Sequence, residues 1–291
     1  QTVVGASMAS NLGDYGIQVP TASSGIGLAF GVEYRQEGLT LETDTAFTTG
    51  DLAGQGGPTI GLSGDFNVID YFAEVRIPLV DEMPFVHSLS LNGSYRYSDY
   101  SDPIDESTNT YGIGLDWAPI EGMKFRGSYQ RAVRAPNVIE LFQAQGLGLY
   151  DNNEDPCAGR NPTASLAECQ RTGVTAQQYG NILDNPAGQY NQLLGGNLDL
   201  TPETSDSYTV GIVWTPTWLD GFSATVDYFN IKVDDTIGSL GADDVITQCI
   251  ATGNPALCGL IRRDRLGTLW VGTGGGGLDG LQRRESVGRR T

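Results

Sequence analysis

The chain has 291 residues, with 17 basic against 35 acidic side chains and a net charge of −18. So acidic a surface offers a phosphate backbone no counter-charge, which excludes nucleic acid as a partner. No run approaches the roughly 18 apolar residues of a membrane-spanning helix, which leaves a soluble β protein or a membrane β-barrel.

The first twenty residues show weak pattern. Residues 25–35 alternate, with Leu28, Phe30, Val32 and Tyr34 against Gly27, Ala29, Gly31, Glu33 and Arg35. Period two is the mark of a strand. Residues 43–64, rich in Gly, Thr and Asp, read as loop. Residues 70–79 form the next strand: Tyr71, Ala73, Val75, Ile77 and Leu79 oppose Asp70, Phe72, Glu74 and Arg76. Pro78 falls at its end, where a missing donor costs least. Residues 88–100 set Leu89, Leu91, Tyr95 and Tyr97 against Ser90, Asn92, Ser94, Arg96 and Ser98. Residues 108–117 and 123–131 form a hairpin about the turn Pro119-Ile120-Glu121-Gly122. The pattern dissolves after Phe142 and returns in strands at 207–215 and 222–232. That makes seven strands.

The strand faces carry the next inference. Tyr34, Tyr97, Trp117 and Trp214 cluster near strand ends on the apolar face, as in the aromatic girdles of a membrane barrel. The opposite face holds Glu33, Arg35, Glu74, Arg76, Asn92, Arg96, Asp116, Lys124, Arg126 and Gln130. These suit a hydrated lumen, or equally the outer face of a soluble sandwich. The connections discriminate better. Short ones at 80–87, 119–122 and 216–221 alternate with those at 36–64, 101–107 and 134–203. A barrel with one trimmed rim predicts that alternation. On this reading Leu28, Phe30, Tyr71, Val75, Leu91, Tyr95, Ile113, Leu115, Phe125, Val210, Ile212 and Val226 share one lipid-facing surface.

Four cysteines fall in two local pairs, Cys157 with Cys169 and Cys249 with Cys258, all in loops. They read as two disulfides on the long-loop rim. The spacings and the single His87 do not suit zinc. Short helical turns are expected at 164–170 and 244–250, the second capped by Asp243 and stopped by Gly253. The acidic stretch Asp151-Asn152-Asn153-Glu154-Asp155 is no EF-hand, because Pro156 and Pro162 stand where a glycine and a glutamate are needed. The Gly272-to-Gly277 run lacks a P-loop ending. Gly61-Leu62-Ser63-Gly64-Asp65 fails the nucleophile elbow at its last position. No enzyme and no cofactor is implied.

Several segments together resemble the barrel of a TonB-dependent outer-membrane receptor. They are Phe72-Ala73-Glu74-Val75-Arg76-Ile77-Pro78-Leu79, Arg131-Ala132-Val133-Arg134-Ala135-Pro136-Asn137 with Glu140-Leu141-Phe142, the stretch from Gly195 to Ser205, and Val226-Asp227-Tyr228-Phe229-Asn230-Ile231-Lys232. The resemblance covers residues 25–265. It implies an all-β, antiparallel, up-and-down transmembrane β-barrel, here incomplete, with about seven strands of a 22-stranded barrel and long extracellular loops. It further implies uptake of a scarce nutrient, such as siderophore-bound iron, a vitamin or an oligosaccharide, energised by TonB and its inner-membrane complex. The expected location is the outer membrane of a Gram-negative bacterium, within a lipid bilayer. The plug that contacts TonB is absent from the resemblance.

Residues 1–271 are assigned to the partial barrel. Residues 272–291, rich in Gly and Arg with Arg283, Arg284, Arg289 and Arg290, are assigned to an atypical tail, read as the product of a truncated or frame-shifted reading frame, with a natural variant loop as the alternative. Loops 134–201 and 237–265 are the expected ligand contact, with Arg134, Asn137, Asp151, Asn153 and Asp155 as candidate residues. Arg134 and Asn137 have a competing structural reading as part of a strand-to-loop signature. Two other functions fit the composition: a secreted β-sandwich that binds carbohydrate, and a β-fold glycoside hydrolase using paired carboxylates. Seven strands would leave two open edges, near 25–35 and 222–232, so the chain alone is expected neither to close nor to transport.

Overall fold

A computed structural model describes residues 1–51, 58–151, 154–270, 278–282 and 286–287. Its main sheet has eight strands in antiparallel meander order. They are β1 (Thr2–Asn11), β2 (Gly27–Leu41), β3 (Leu62–Met83), β4 (Val86–Tyr100), β5 (Ser107–Ile120) and β6 (Met123–Arg134), followed after a long insertion by β9 (Glu203–Trp214) and β10 (Ala224–Asp234). The insertion carries α2 (Val138–Phe142), β7 (Gly146–Asp151), α3 (Leu166–Arg171) and β8 (Gln189–Leu194). Earlier, α1 (Thr45–Thr49) lies between β2 and β3. After β10 come β11 (Thr236–Ile237), α4 (Ala242–Thr252) and α5 (Pro255–Cys258). The last two strands are β12 (Leu278–Gln282), parallel to β8, and β13 (Ser286–Val287), paired with β11.

All seven expected strands are present, and β1 is an eighth. Its outward residues Val4, Ala6, Met8 and Ser10 and its inward residues Val3, Gly5, Ser7 and Ala9 are equally mixed, so the sequence shows no alternation there. Pairing of Val4 with Tyr34 and Ala6 with Val32 supplies the missing order. The open edges are therefore β1 and β10, not β2 and β10. The sheet does not close on itself.

Register fixes the faces, because directly opposed residues in an antiparallel pair share one. Leu28 opposes Val75, Leu91 opposes Leu115, Phe125 opposes Ile212, and Ile212 opposes Val226. All twelve residues expected to face lipid lie on one side. A bulge follows Pro78, so Val80 rather than Leu79 stands opposite Leu89. Among the described residues no second sheet covers the apolar side: Val226 remains 70% and Val210 63% exposed. That overturns the sandwich reading.

One rim is trimmed and one elaborated. β3–β4 and β5–β6 turn within a few residues, the second through Gly122 at φ +80°. Aromatic rings line that rim: Trp117 stacks on Phe125 at 5.4 Å, and Trp214 meets Phe222 at 5.7 Å. Tyrosines mark the other boundary, with Tyr129 between Tyr111 (6.1 Å) and Tyr208 (4.8 Å). Trp214 to Asp206, the next outward position beyond Tyr208, is a nine-residue span of β9, and a tilted strand needs about 9–11 to cross a bilayer.

Candidate functional site

The elaborated rim is built around Arg134. Its Nε and Nη2 donate to both Glu203 carboxylate oxygens at 2.7 and 2.9 Å, and its Nη1 donates to Glu140 at 3.1 Å. Glu203 also accepts from the Ile237 backbone N–H at 2.5 Å. One guanidinium thus ties together the last residue of β6, the first of β9 and the chain that follows β10. Pro136 disfavours continuing helix backbone at Ala135, and Asn137 starts α2 with a reciprocal capping box to Glu140. Arg134 and Asn137, two of the five candidate ligand residues, are held in this architecture.

α2 folds inward over the mouth. The Phe142 ring lies on Gly64 of β3 so closely that a Cβ there would sit 2.2 Å from its Cγ. Val138 and Leu141 pack with Phe66, Ile104, Leu200 and Ile237 in a buried cluster.

Beyond α2 the two long loops form one folded cap. Cys157–Cys169 and Cys249–Cys258 are both bonded, with S–S distances of 2.11 and 2.10 Å. Both disulfides stand on the long-loop rim, as expected. Ser165 caps α3 within the first stapled loop. Its hydroxyl and backbone N–H donate to Glu168 and hold that carboxyl below the usual range. In the second loop, α4 starts at Gly241 without a side-chain cap. Asp243 lies inside its first turn, where a carboxylate still favours the positive end of the helix. The expected stop, Gly253, is correct, at φ +67°.

Several contacts join the loops. The Arg171 guanidinium, from the first loop, donates to the backbone oxygens of Ile250 and Ala251, which end α4. Ala242, Val245, Ile246, Cys249, Ile261 and Leu269 bury against Tyr190. Arg263 and Asp155 form a bidentate pair at 2.5 and 2.9 Å with both side chains 2% exposed. Arg263 also donates to Thr172 and to the Gly267 carbonyl. Asp155, a candidate ligand residue, is thus a buried strut. Asp151 accepts from Gln189 at 3.2 Å, across the β7–β8 pair. Asn153 lies outside the described residues, as do residue 271 and, in the tail, 272–277, 283–285 and 288–291. Sequence reasoning missed Arg171, Glu203 and Arg263. A lone arginine in a loop has no periodic signal.

The concave face of the sheet is polar. Arg126 donates to both oxygens of Asp227 at 2.9 and 2.7 Å, reaching across Gly211. Any Cβ at 211 would stand 1.8 Å from Asp227 Oδ1, so glycine is needed for that bridge. Lys124 pairs with Asp116 at 2.8 Å, and Asn92 donates to the same carboxylate. Arg96 lies 5.3 Å over Phe72 and 3.4 Å from the buried Asp70. Of the polar groups on this face, Glu74, Arg76, Asn92, Asp116, Arg126 and Gln130 line a trough of about 840 Å³. Among the described residues no group of His, Cys, Asp and Glu could hold a metal ion.

A family model described as TonB dependent receptor-like, beta-barrel matches residues 5–259. The chain belongs to the TonB-dependent receptor β-barrel family. Members of that family are outer-membrane transporters of Gram-negative bacteria, not enzymes. The match begins at residue 5, earlier than the resemblance read from sequence, because β1 is part of the wall. Solved TonB-dependent receptors share the fold. A mutant of the ferric enterobactin receptor PfeA from Pseudomonas aeruginosa aligns at TM-score 0.51 and 20% identity, over 81% of this chain and 27% of that one. A PfeA mutant in complex with enterobactin gives 0.50 and 18%, over 82% and 27%. The siderophore receptor PirA from Pseudomonas aeruginosa gives 0.50 and 17%, over 82% and 33%. The chain therefore spans 27% to 33% of those receptors. No curated protein matches it.

Proposed function

We propose that this chain is a section of the wall of an outer-membrane uptake receptor, and that its two-loop cap makes first contact with a scarce nutrient. The observation that supports this most directly is the pairing of a two-faced sheet with a single elaborated rim. A lipid-facing band ends in tyrosines, and above it 143–151, 154–202 and 238–270 fold into a cap with its own core. A rigid cap lowers the ordering cost of binding. The polar trough provides a wet lumen in which a plug domain can be held by contacts that break one at a time. TonB, with its inner-membrane complex, would act through such a plug.

Residues 1–271 are the barrel section in this reading, and the Gly/Arg-rich 272–291 are its tail, whose β12 and β13 pair with β8 and β11. PfeA and PirA are receptors for ferric enterobactin and siderophores, so siderophore-bound iron leads the ligand panel. A vitamin and an oligosaccharide are its other arms.

The test is uptake of the labelled panel by cells carrying the full-length receptor, with and without TonB. Uptake of one ligand that requires both TonB and the intact cap supports the reading. Uptake indifferent to TonB, or unchanged when the cap is replaced by short Gly-Ser linkers, would overturn it.

A further inference from the structure

The elaborated rim carries charge of one sign. The β2–β3 connection holds Glu42, Asp44 and Asp51, and the β4–β5 connection holds Asp102, Asp105 and Glu106. Neither 42–61 nor 101–106 contains a lysine or arginine. All six carboxylates are exposed, and among the described residues no ion pair reaches them.

The cap adds to the imbalance, because its own joints take up its cations. Arg171 is engaged by the carbonyl oxygens that end α4, and Arg263 by the buried Asp155. At most Arg160, Arg262 and Arg265 remain to face six exposed carboxylates of the cap, Asp184, Asp243 and Asp244 among them. The four arginines of the tail, counted in full, still leave carboxylates in excess around this rim. Deeper in the wall the charges are matched, Arg126 with Asp227 and Lys124 with Asp116.

The rim carboxylates are spread over two connections and the cap, and among the described residues no group of them could hold a metal ion. They act together, as a field. A cleft lined by one sign of charge speeds the arrival of the opposite sign by roughly ten-fold to a thousand-fold. Physiological salt confines that field to about 8 Å, so it acts on a ligand already between the loops and the cap.

We propose that this mouth selects a ligand of net positive charge and turns anionic ligands away. Among iron complexes, that favours one bearing a protonated amine outside the metal's coordination shell. It disfavours a ferric tris-catecholate, in which the ligand charges exceed that of the iron. The inference rests on the reading of the elaborated rim as the first-contact face of an uptake receptor.

The test has two arms, both on the full-length receptor. In liposomes of uncharged lipid, a spin label at Ser107 reports collisions with a neutral nickel reagent and with anionic chromium oxalate. The anionic reagent should collide about five-fold less often than the neutral one, and the deficit should shrink as salt rises. Glu42→Gln, Asp51→Asn, Asp102→Asn, Asp105→Asn and Glu106→Gln together should abolish most of it; Asp44 stays because it caps α1. Asp14→Asn with Glu121→Gln and Asp220→Asn, on the opposite rim, should change nothing. In cells, ferrioxamine B, cationic through its free amine, joins the uptake panel with its neutral N-acetyl and anionic N-succinyl forms. Uptake at limiting concentration should fall in that order, about ten-fold from first to last, and the order should flatten in the quintuple variant. Whichever panel member is carried, its uptake should slow as salt rises. Equal collisions of the two reagents, or uptake that quickens with salt or ignores it, would overturn the proposal. So would loss of the deficit in millimolar calcium at constant ionic strength, which would give the surface to divalent cations. Uptake indifferent to TonB would instead overturn the receptor reading beneath it.

Discussion

β3 turns its apolar side in opposite directions along its length. From Ile69 to Ile77 the apolar residues face outward with Tyr71, Ala73 and Val75. From Leu62 to Val68 they face inward, where Leu62, Phe66 and Val68 are buried. The strand keeps its pleat, and what changes is the solvent. In the lower half lipid lies outside and water inside. In the upper half water lies outside, and α2 with Phe142 covers the inside. The apolar face follows the dry side of the wall at each height.

The cap and the band are held by different forces, and variants can separate them. The largest effect is expected at Arg263. Arg263→Ala leaves Asp155 as an uncompensated buried charge, which costs about 3–5 kcal/mol. Hydrogen exchange of amides in 155–190 and 242–269 should accelerate while β4 and β5 stay protected. Loss of protection in both regions would show that cap and sheet are one unit.

That pair was invisible in the sequence, whereas the strand faces were legible. Alternation in 70–79, 88–100 and 108–131 gave both the strands and the side each residue faces, since lipid and lumen impose one rule along many residues. Alternation reversed in 62–68, where Phe66 and Val68 fall on the polar side's parity, and the expected strand therefore began only at residue 70. The cap was legible through its cysteines, its two short helices and the stop at Gly253. Its other joints, Arg171 to α4 and Arg263 to Asp155, link residues about eighty to a hundred positions apart, and no local pattern encodes such a pairing.

The band should respond oppositely to the cap. Val210→Arg places a charge on the lipid face and should cost about 2–4 kcal/mol if it lies near the midplane. Folding into liposomes, followed by gel mobility, should fall, with cap protection in the folded fraction unchanged. Thr209→Arg, one residue along and facing the lumen, should fold near normally.

Removing one staple should act on the cap alone. Cys249→Ser with Cys258→Ser should cost up to about 3 kcal/mol through freer loops in the unfolded state. Limited proteolysis should then cut within 242–260, and Cys157–Cys169 should remain protected. Cutting in β9 or β10 would contradict the separation.

The smallest expected effect is at the N-terminus of α3. Ser165 holds the Glu168 pKa below its unfolded value. The stability this adds is present above the unfolded pKa and is lost as pH falls through the folded one. Exchange at Leu166–Arg171 should rise as pH falls through that acidic window, relative to neighbouring cap amides. Glu168→Gln should flatten the dependence, and a dependence that survives the substitution would assign it elsewhere.

The most direct test of the two-sided wall is a spin-label scan of residues 62–77 in the full-length receptor, embedded in outer-membrane lipid. Oxygen accessibility should peak at 69, 71, 73, 75 and 77. Accessibility to a water-soluble nickel reagent should peak at 63, 65 and 67, with 62, 66 and 68 shielded from both. A single phase of lipid exposure running through all sixteen positions would contradict the reversal, and with it the account of how this wall carries its cap.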